Sequence, residues 1–360
     1  MRKIRVIPRH FFAAIFILFA IVAAAIFIFY SYLRKGMDTP LSANAAKRMF
    51  VVLPGQDARQ VAGALYGGHF IASAFAFEEY ANITGEAQRI QPGSYEISPS
   101  MAPRQILLEI IAAQENQIKI TIREGWDIDD IANYLAAQNV VPKGVFVAAE
   151  KEKAQTFDYF GENPRVRTLE GYLFPDTYFI PKGKPAAETA DDILDKMLAN
   201  TKEKINAAML AQIHAQHKTV YDILTLASII EREVGRNKNV LTSKDVSELQ
   251  NEREIVAGIF YNRIEAGMPL QSDATVDFAK KILGLPQSTP GDKVNSAYNT
   301  YLYVGLPPGP IANPSLNSIE AAINPAKTDY LYFLTRSDGT AVFARTLQEQ
   351  EANAQKYLGR

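Results

Sequence analysis

At 360 residues the chain is longer than one compact core accommodates and is read as two or three domains. Apolar content of 48% and charged content of 21% describe folded protein, and a net charge of −1 supplies no basic field for nucleic acid. The absence of cysteine excludes a disulfide scaffold, a thiolate metal site and a thiol nucleophile. With only His10, His69, His214 and His217, scattered along the chain, a histidine-rich metal site or a Ser-His-Asp triad is poorly supplied.

The first element is FFAAIFILFAIVAAAIFIFY, Phe11 to Tyr30, 20 consecutive residues without a charge. As a helix this run is ~30 Å long, the hydrocarbon thickness of a bilayer. Arg2, Lys3, Arg5 and Arg9 precede it unopposed by any acid, which keeps the N-terminus in the cytoplasm under the positive-inside bias. A cleaved signal peptide has a shorter apolar region ending in small residues. This run ends in bulky FIFYSYLRK, so an uncleaved anchor is expected. GMDTPLSANAAK, Gly36 to Lys47, reads as a short linker.

An internal repeat follows. VVLPGQDARQVAGALYGGHFI from Val51 and ITIREGWDIDDIANYLAAQNVV from Ile120 align so that Gly55, Asp57, Val61, Ala62 and Leu65 match Gly125, Asp127, Ile131, Ala132 and Leu135. Each copy reads as a short strand, a glycine turn, an aspartate that caps a helix, and an amphipathic helix. Between them QPGSYEISPSMAPRQILLEIIA supplies a further strand, turn and helix, with Pro103 near the helix start. The pattern G-x-D-x-x-x-[VI]-A-x-x-L resembles LysM-type modules, small folds associated with binding N-acetylglucosamine polymers. Packing and positioning of the following domain is an equally good role for it.

From Thr168, TLEGYLFPDTYFIPKG is aromatic-dense and carries Glu170 and Asp176. Rings beside acids suit carbohydrate, whose C–H faces pack on aromatics while its hydroxyls seek polar partners; a core hairpin using Tyr and Phe for bulk reads the same. A charged amphipathic helix is expected from about Ala187 to Ala211. YDILTLASIIEREVG then delivers Glu231 and Glu233 to the end of an apolar helix. At 100° per residue, Ile223, Ala227, Ile230 and Val234 centre its apolar stripe. Glu231 falls on one flank, beside Leu224, Ala227 and Ser228. Glu233 falls about 200° around the helix from it, beside Leu226 and Ile229. The two carboxylates therefore cannot flank one bond, as both glycosidase geometries require. A single acid bordered by apolar residues suits general acid catalysis, because desolvation favours its protonated form. A solvated helix-end glutamate is the plainer reading of that position taken alone.

Further on, ELQNEREIVAGIFYNRIEAGMPLQSDATVDFA is followed by SAYNTYLYVGLPPGPIANPSLNSIEAAINPAKTDYLYFL. The second alternates Tyr-rich and Pro/Gly-rich pieces, and its prolines fix loops around which polar side chains can line a cleft.

In order and spacing, LEGYLFPDTY, ASIIEREVG, VAGIFYNRIEAGMPLQSDATV, AYNTYLYVGLPPGPIANP and INPAKTDYLYF resemble the YceG-like family, endolytic murein transglycosylases. The resemblance extends over the anchor and the LysM-like region. It implies cleavage of the β-1,4 bond between N-acetylmuramic acid and N-acetylglucosamine inside peptidoglycan strands, without water, leaving a 1,6-anhydro-muramoyl end. It places the catalytic role on Glu231, the first acid of ASIIE, and implies no cofactor and no metal. Ser228, one turn back, either hydrogen-bonds Glu231 or back-bonds to its own helix. Substrate-binding candidates within these motifs are Glu170, Tyr172, Asp176, Ser228, Asn262, Gln271, Asp273, Tyr298, Asn299 and Tyr301. The chain departs from the family pattern at Ala274 (proline), Phe278 (tyrosine), and Ala341 and Gln350 (histidines), which removes any imidazole contribution from the tail.

The expected fold is α+β: a single transmembrane helix, LysM-like α/β modules, then an α+β catalytic domain. The boundaries are a cytoplasmic tail 1–9, transmembrane helix 10–33, linker 34–48, LysM-like module 49–117, second repeat or connector 118–165, and YceG-like catalytic domain 166–360. The expected location is the inner (cytoplasmic) membrane, with the body in the extracytoplasmic space. Expected partners are peptidoglycan glycan strands, the membrane and peptidoglycan synthases, with no nucleic acid. Two readings stay open beside this one. One is an anchored peptidoglycan-binding scaffold without cleavage. The other is a two-carboxylate muramidase using Glu231 with Glu170 or Asp273.

Overall fold

The computed structural model describes residues 9–359, except 54, 113–116, 159, 161–167, 235–242 and 337–339; the side chains of 9–16 and 243–246 are also outside the description. The basic tail before Arg9 and the glycine closing ASIIEREVG therefore lie outside the described residues. The chain divides into a smaller unit, Met1–Ile118 with Phe179–Gly183, and a larger one, Lys119–Tyr178 with Lys184–Arg360.

The smaller unit begins with α1 (Arg9–Asp38). Its first part presents Ile17, Phe19, Ile26 and Phe27 to the outside and is long and apolar enough to cross a membrane. Its last turns behave differently. Leu33 and Met37 are fully buried, and Asp38 meets the Arg104 guanidinium at 2.9 Å. A Cβ on Gly36 would lie 3.1 Å from the Ala76 Cβ, so the glycine permits close approach of the two helices. The helix thus runs on through the first residues of the segment expected to be a linker. Apolar burial at Leu33 and Met37 outweighs the low helix propensity of Gly36.

β1 (Arg48–Val52), α2 (Ala58–Gly67), α3 (Ala74–Thr84) and β2 (Gly93–Ile97) form a strand–helix–helix–strand run. The two strands pair antiparallel, from Arg48 opposite Ile97 to Val52 opposite Gly93. α4 (Pro103–Ala112) closes the core, its Ile106 and Leu107 joining Val52, Leu65, Phe77 and Tyr95.

The second repeat has the same order: β3 (Gln117–Thr121), α5 (Ile128–Ala137), α6 (Lys143–Thr156) and β4 (Thr177–Pro181), with β3 paired to β4. Asp57 and Asp127 each cap their helix in a capping box, as the aligned aspartates predicted. Gly55 and Gly125 both have positive φ. The correspondence runs past the residues that match in sequence. His69 and Asn139 share a left-handed φ of 55°, and the bonds Phe70 N–H to Leu65 O and Val140 N–H to Leu135 O are both 2.9 Å.

In the larger unit the helix expected from Ala187 to Ala211 is two helices, α7 (Ala186–Lys204) and α8 (Ala207–Ala215). Asn206 breaks it, its side chain accepting from the backbone N–H of Ala208 and Met209 at 3.0 Å as an N-cap. α9 (Val220–Glu233) follows, and Val220 together with every residue from Ile223 to Ile230 is buried. It lies at the centre of the unit, packed by α8, α10 (Ser243–Glu265), α11 (Asp273–Leu283) and α12 (Leu316–Ile323), which is why its burial wraps the helix rather than following one stripe. The hairpin β5 (Tyr332–Thr335) and β6 (Ala341–Ala344) packs against the terminal α13 (Leu347–Leu358).

Candidate active site

α9 starts on a capping box between Thr219 and Asp222 and runs apolar to its last turn, where Glu231 emerges half-buried. Three donors converge on its Oε2: the Ser315 N–H at 3.0 Å, the Ser318 hydroxyl at 2.7 Å and the Ser315 hydroxyl. Ser315 is the N-cap of α12, so the carboxylate sits at the electropositive end of that helix. Oε1 accepts no hydrogen bond among the described residues. One oxygen is fixed in place and the other is left for chemistry.

The turn from Arg123 to Trp126 covers this carboxylate. The Gly125 N–H donates to the Asn313 carbonyl at 2.9 Å, and Arg232, next to Glu231, donates from Nη1 to the Gly125 carbonyl at 3.0 Å. Gly125 has φ +75, and a Cβ there would stand 3.6 Å from the Glu231 Cγ. Beside it, Glu124 is exposed, yet partial desolvation in the cleft, and then the charge of Glu231, push its carboxyl above the usual range against the pull of Arg253. A second carboxylate thus adjoins the first.

Behind the turn, Glu170 is buried. Its Oε1 accepts from the Asn313 amide and its Oε2 from the Ile128 N–H, both at 3.0 Å. Burial, then nearby Asp127 and Glu150, holds its carboxyl well above the usual range, while the Ile128 bond and Lys281 oppose the shift. Asn313 also donates to the Trp126 carbonyl at 3.0 Å and accepts from the Leu173 N–H at 2.9 Å. Glu170 therefore orders the wall of the site from inside. Lys281 bonds Asp127 and Asp130, tying the start of α5 to α11.

The other sequence candidates separate into groups. Ser228 is buried, donating to the Thr225 carbonyl at 2.7 Å and accepting from the Ile311 N–H at 3.0 Å; of the two bonds considered for it, the structure shows the one to its own helix. Tyr172 and Asn299 are buried too, Asn299 bonding the carbonyls of Gly291 and Val294. Asn262 braces the carbonyls of Thr328 and Tyr330. Asp176 is exposed and accepts from Asn200 at 3.0 Å. Tyr298 packs edge-on to Phe278, and burial pushes its phenol up to about 12. Gln271, Asp273 and Tyr301 meet Glu233 around a cavity of about 560 Å³, with the Tyr301 hydroxyl donating to Asp273 at 2.8 Å. Glu233 accepts from the Ser272 hydroxyl at 2.5 Å, so the two acids of ASIIEREVG bond different segments. In the tail, Gln350 donates to the Phe333 carbonyl and lines the Glu233 cavity.

Sequence reasoning passed over Glu124, Asn313, Ser315 and Ser318. Pro314-Ser315 followed by Ser318 and an apolar run is an N-cap signature, and Glu124 stands where the first repeat has Pro54.

A helix-end glutamate held by serines on one oxygen, beneath a glycine turn bearing a second acid, is assembled from segments that a single family model spans. That model, of the YceG-like family, matches residues 50–356, and the chain belongs to this family. Among its relatives, the endolytic murein transglycosylase of Bacillus subtilis (strain 168) is 32% identical over 90% of this chain and 89% of its own. That of Streptococcus pneumoniae serotype 2 (strain D39 / NCTC 7466) is 27% identical over 97% of this chain, which spans only 65% of the relative's length. A solved structure of a putative yceG-like protein from Listeria monocytogenes superposes with a TM-score of 0.53 at 30% identity. It covers 86% of this chain and 99% of its own.

Proposed function

We propose that the protein is a membrane-anchored endolytic peptidoglycan lytic transglycosylase, with Glu231 as its acid and then its base. The names of its relatives support the substrate class. The observation that carries the residue assignment is the asymmetry of the Glu231 carboxylate: among the described residues Oε2 takes three donors and Oε1 none. With Oε2 saturated, the transferable proton belongs on Oε1.

In the reaction, Oε1–H protonates the glycosidic oxygen as the bond from C1 of the muramoyl residue breaks through an oxocarbenium-like state. The carboxylate then accepts the proton of the C6 hydroxyl of the same sugar, whose oxygen bonds C1 and closes the 1,6-anhydro ring. The net change moves one proton from O6 to the leaving oxygen. Water is not consumed, and an intramolecular nucleophile needs no second carboxylate.

Helix α1 anchors the protein in the cytoplasmic membrane with the N-terminus inside and the catalytic region outside, beside the synthases whose strands it shortens. The strand–helix–helix–strand order of the first repeat supports a LysM-like shape, whose role is to hold glycan or to position the following domain.

One observation favours a second reading. Glu124 adjoins Glu231 and could activate water, making a two-carboxylate muramidase with a partner other than Glu170, which is buried, or Asp273. Mass analysis of products from purified glycan strands decides. Anhydro ends that resist borohydride support the transglycosylase, reducing ends the muramidase, and no cleavage leaves only a binding scaffold.

A further inference from the structure

Two arginines are buried on α10, and they are treated differently. Arg263 is fully engaged: Nε donates to the Leu331 carbonyl at 2.7 Å, Nη1 to the Leu270 carbonyl at 2.7 Å, and Nη2 to the Gln271 side chain at 3.2 Å. Arg253 is 8% exposed and occupies a core position, on a stripe with Leu249, Val256 and Phe260. Its Nε is sealed from water and meets no acceptor, while its two Nη groups are not sealed and no hydrogen bond from them is seen among the described residues. An unpaired cation at a core position is costly. One turn before Arg253 on α10, Gln250 donates to the Asn317 carbonyl at 3.4 Å, between the two serines that hold Glu231, and the Arg253 charge opposes the upward push on the Glu124 carboxyl.

We infer that Arg253 is a carboxylate-recognition residue, which binds an acidic group carried by the substrate beside the scissile bond. This rests on the transglycosylase reading. The sugar rings of a glycan strand are uncharged, so the anion comes from the substituent on the muramoyl residue. It is a carboxylate of the stem peptide. A planar guanidinium fork suits a carboxylate, which it binds through two parallel hydrogen bonds. The same device gives selectivity, because a strand lacking the acid leaves the guanidinium buried and unpaired. Glu124 sets the position of that anion: a second negative group seats on the Arg253 side of the cleft and is repelled from the Glu124 side.

The test compares native strands, strands whose carboxylates are amidated with carbodiimide, and strands stripped of peptide by an amidase. Wild-type protein should show a KM roughly 10- to 100-fold lower for native than for amidated strands, the range for a charge-assisted bond lost from a buried partner. Stripped strands should behave like amidated ones; if they behave like native ones, the lactyl carboxylate is the ligand and the stem-peptide assignment is overturned. Arg253→Gln should raise KM on native strands to the amidated value and not lower thermal stability, whereas a purely structural arginine would lower stability and kcat on all strands alike. Binding is read without cleavage in a Glu231→Gln background, from the fluorescence of Trp126, the sole tryptophan, which stands two residues from Glu124. Equal binding of native and amidated strands there overturns the Arg253 inference whatever the cleavage result. Discrimination in binding without any cleavage by wild-type protein upholds it and sinks the transglycosylase reading instead.

Discussion

Replacing Glu231 by glutamine is the sharpest perturbation available. The amide oxygen can take the place of Oε2 and keep the donors from the Ser315 N–H and from both serine hydroxyls, while the amide nitrogen replaces Oε1. Geometry is therefore retained and only the titratable proton is lost. General acid–base catalysis contributes ~10²–10⁴ in rate, about 2.7–5.4 kcal/mol of barrier at about 1.36 kcal/mol per decade. Turnover should fall by at least that factor. Stability should change by less than about 1–2 kcal/mol, because all three hydrogen bonds to the retained oxygen stay formed. Glu233→Gln supplies the control. Glu233 bonds Ser272 ahead of α11, away from the serines that hold Glu231, and its replacement should cost less than about tenfold. The assay counts anhydro-muramoyl ends per unit time on purified strands, with thermal denaturation of both variants alongside. Near-full activity in Glu231→Gln, or equal losses in the two variants while both stay folded, would show that the acid lies elsewhere, and Glu124 would be the first place to look.

Glu170→Gln must turn an amide NH₂ toward one of two N–H donors, Asn313 or Ile128, and should cost ~1–3 kcal/mol at neutral pH. The pH dependence has a definite sign. Because the folded carboxyl is raised above its ordinary 4.5, the folded state holds the proton longer than the unfolded one, and this part of stability falls as pH rises above 4.5. Denaturant titrations across pH should show that slope in wild-type protein and its loss in Glu170→Gln; an unchanged slope refutes the assignment. For Glu124, part of the upward push comes from Glu231, so its carboxyl, followed by NMR titration, should ionise at lower pH in Glu231→Gln than in wild type. An identical midpoint in the two proteins would mean the carboxylates do not adjoin. A reporter enzyme active only outside the cytoplasm, fused after Arg360, should work; activity confined to the cytoplasm would reverse the proposed topology.

How far these features are visible in the sequence depends on their range. Glu231 stands out because an apolar helix ending in an acid is a local pattern, and helical phase alone separates it from Glu233. The capping aspartates and positive-φ glycines of the repeat are equally local. What holds Glu231 is not. Ser315 is 84 residues away and the Gly125 carbonyl that Arg232 grips is 107 away, and no periodicity reports convergence over such distances. Glu170 shows the converse. Its acid was conspicuous between aromatics, but the sequence could not show that Asn313, 143 residues on, turns it inward. The break between α7 and α8 turns on one residue, Asn206, whose side chain competes for backbone donors that a continuous helix would leave bonded.

Because α1 carries its helical phase past Gly36 and buries Leu33 and Met37 in the first module, the apolar span and that module turn as one body. One residue added to the helix before Leu33 would rotate every upstream side chain by about 100° against the module and shift it by about 1.5 Å. Two would nearly reverse the face. Whichever side of the span meets a neighbouring helix is therefore keyed, like the teeth of a gear on its shaft, to the side the module shows. A short flexible tether would have erased that relation; this one records it.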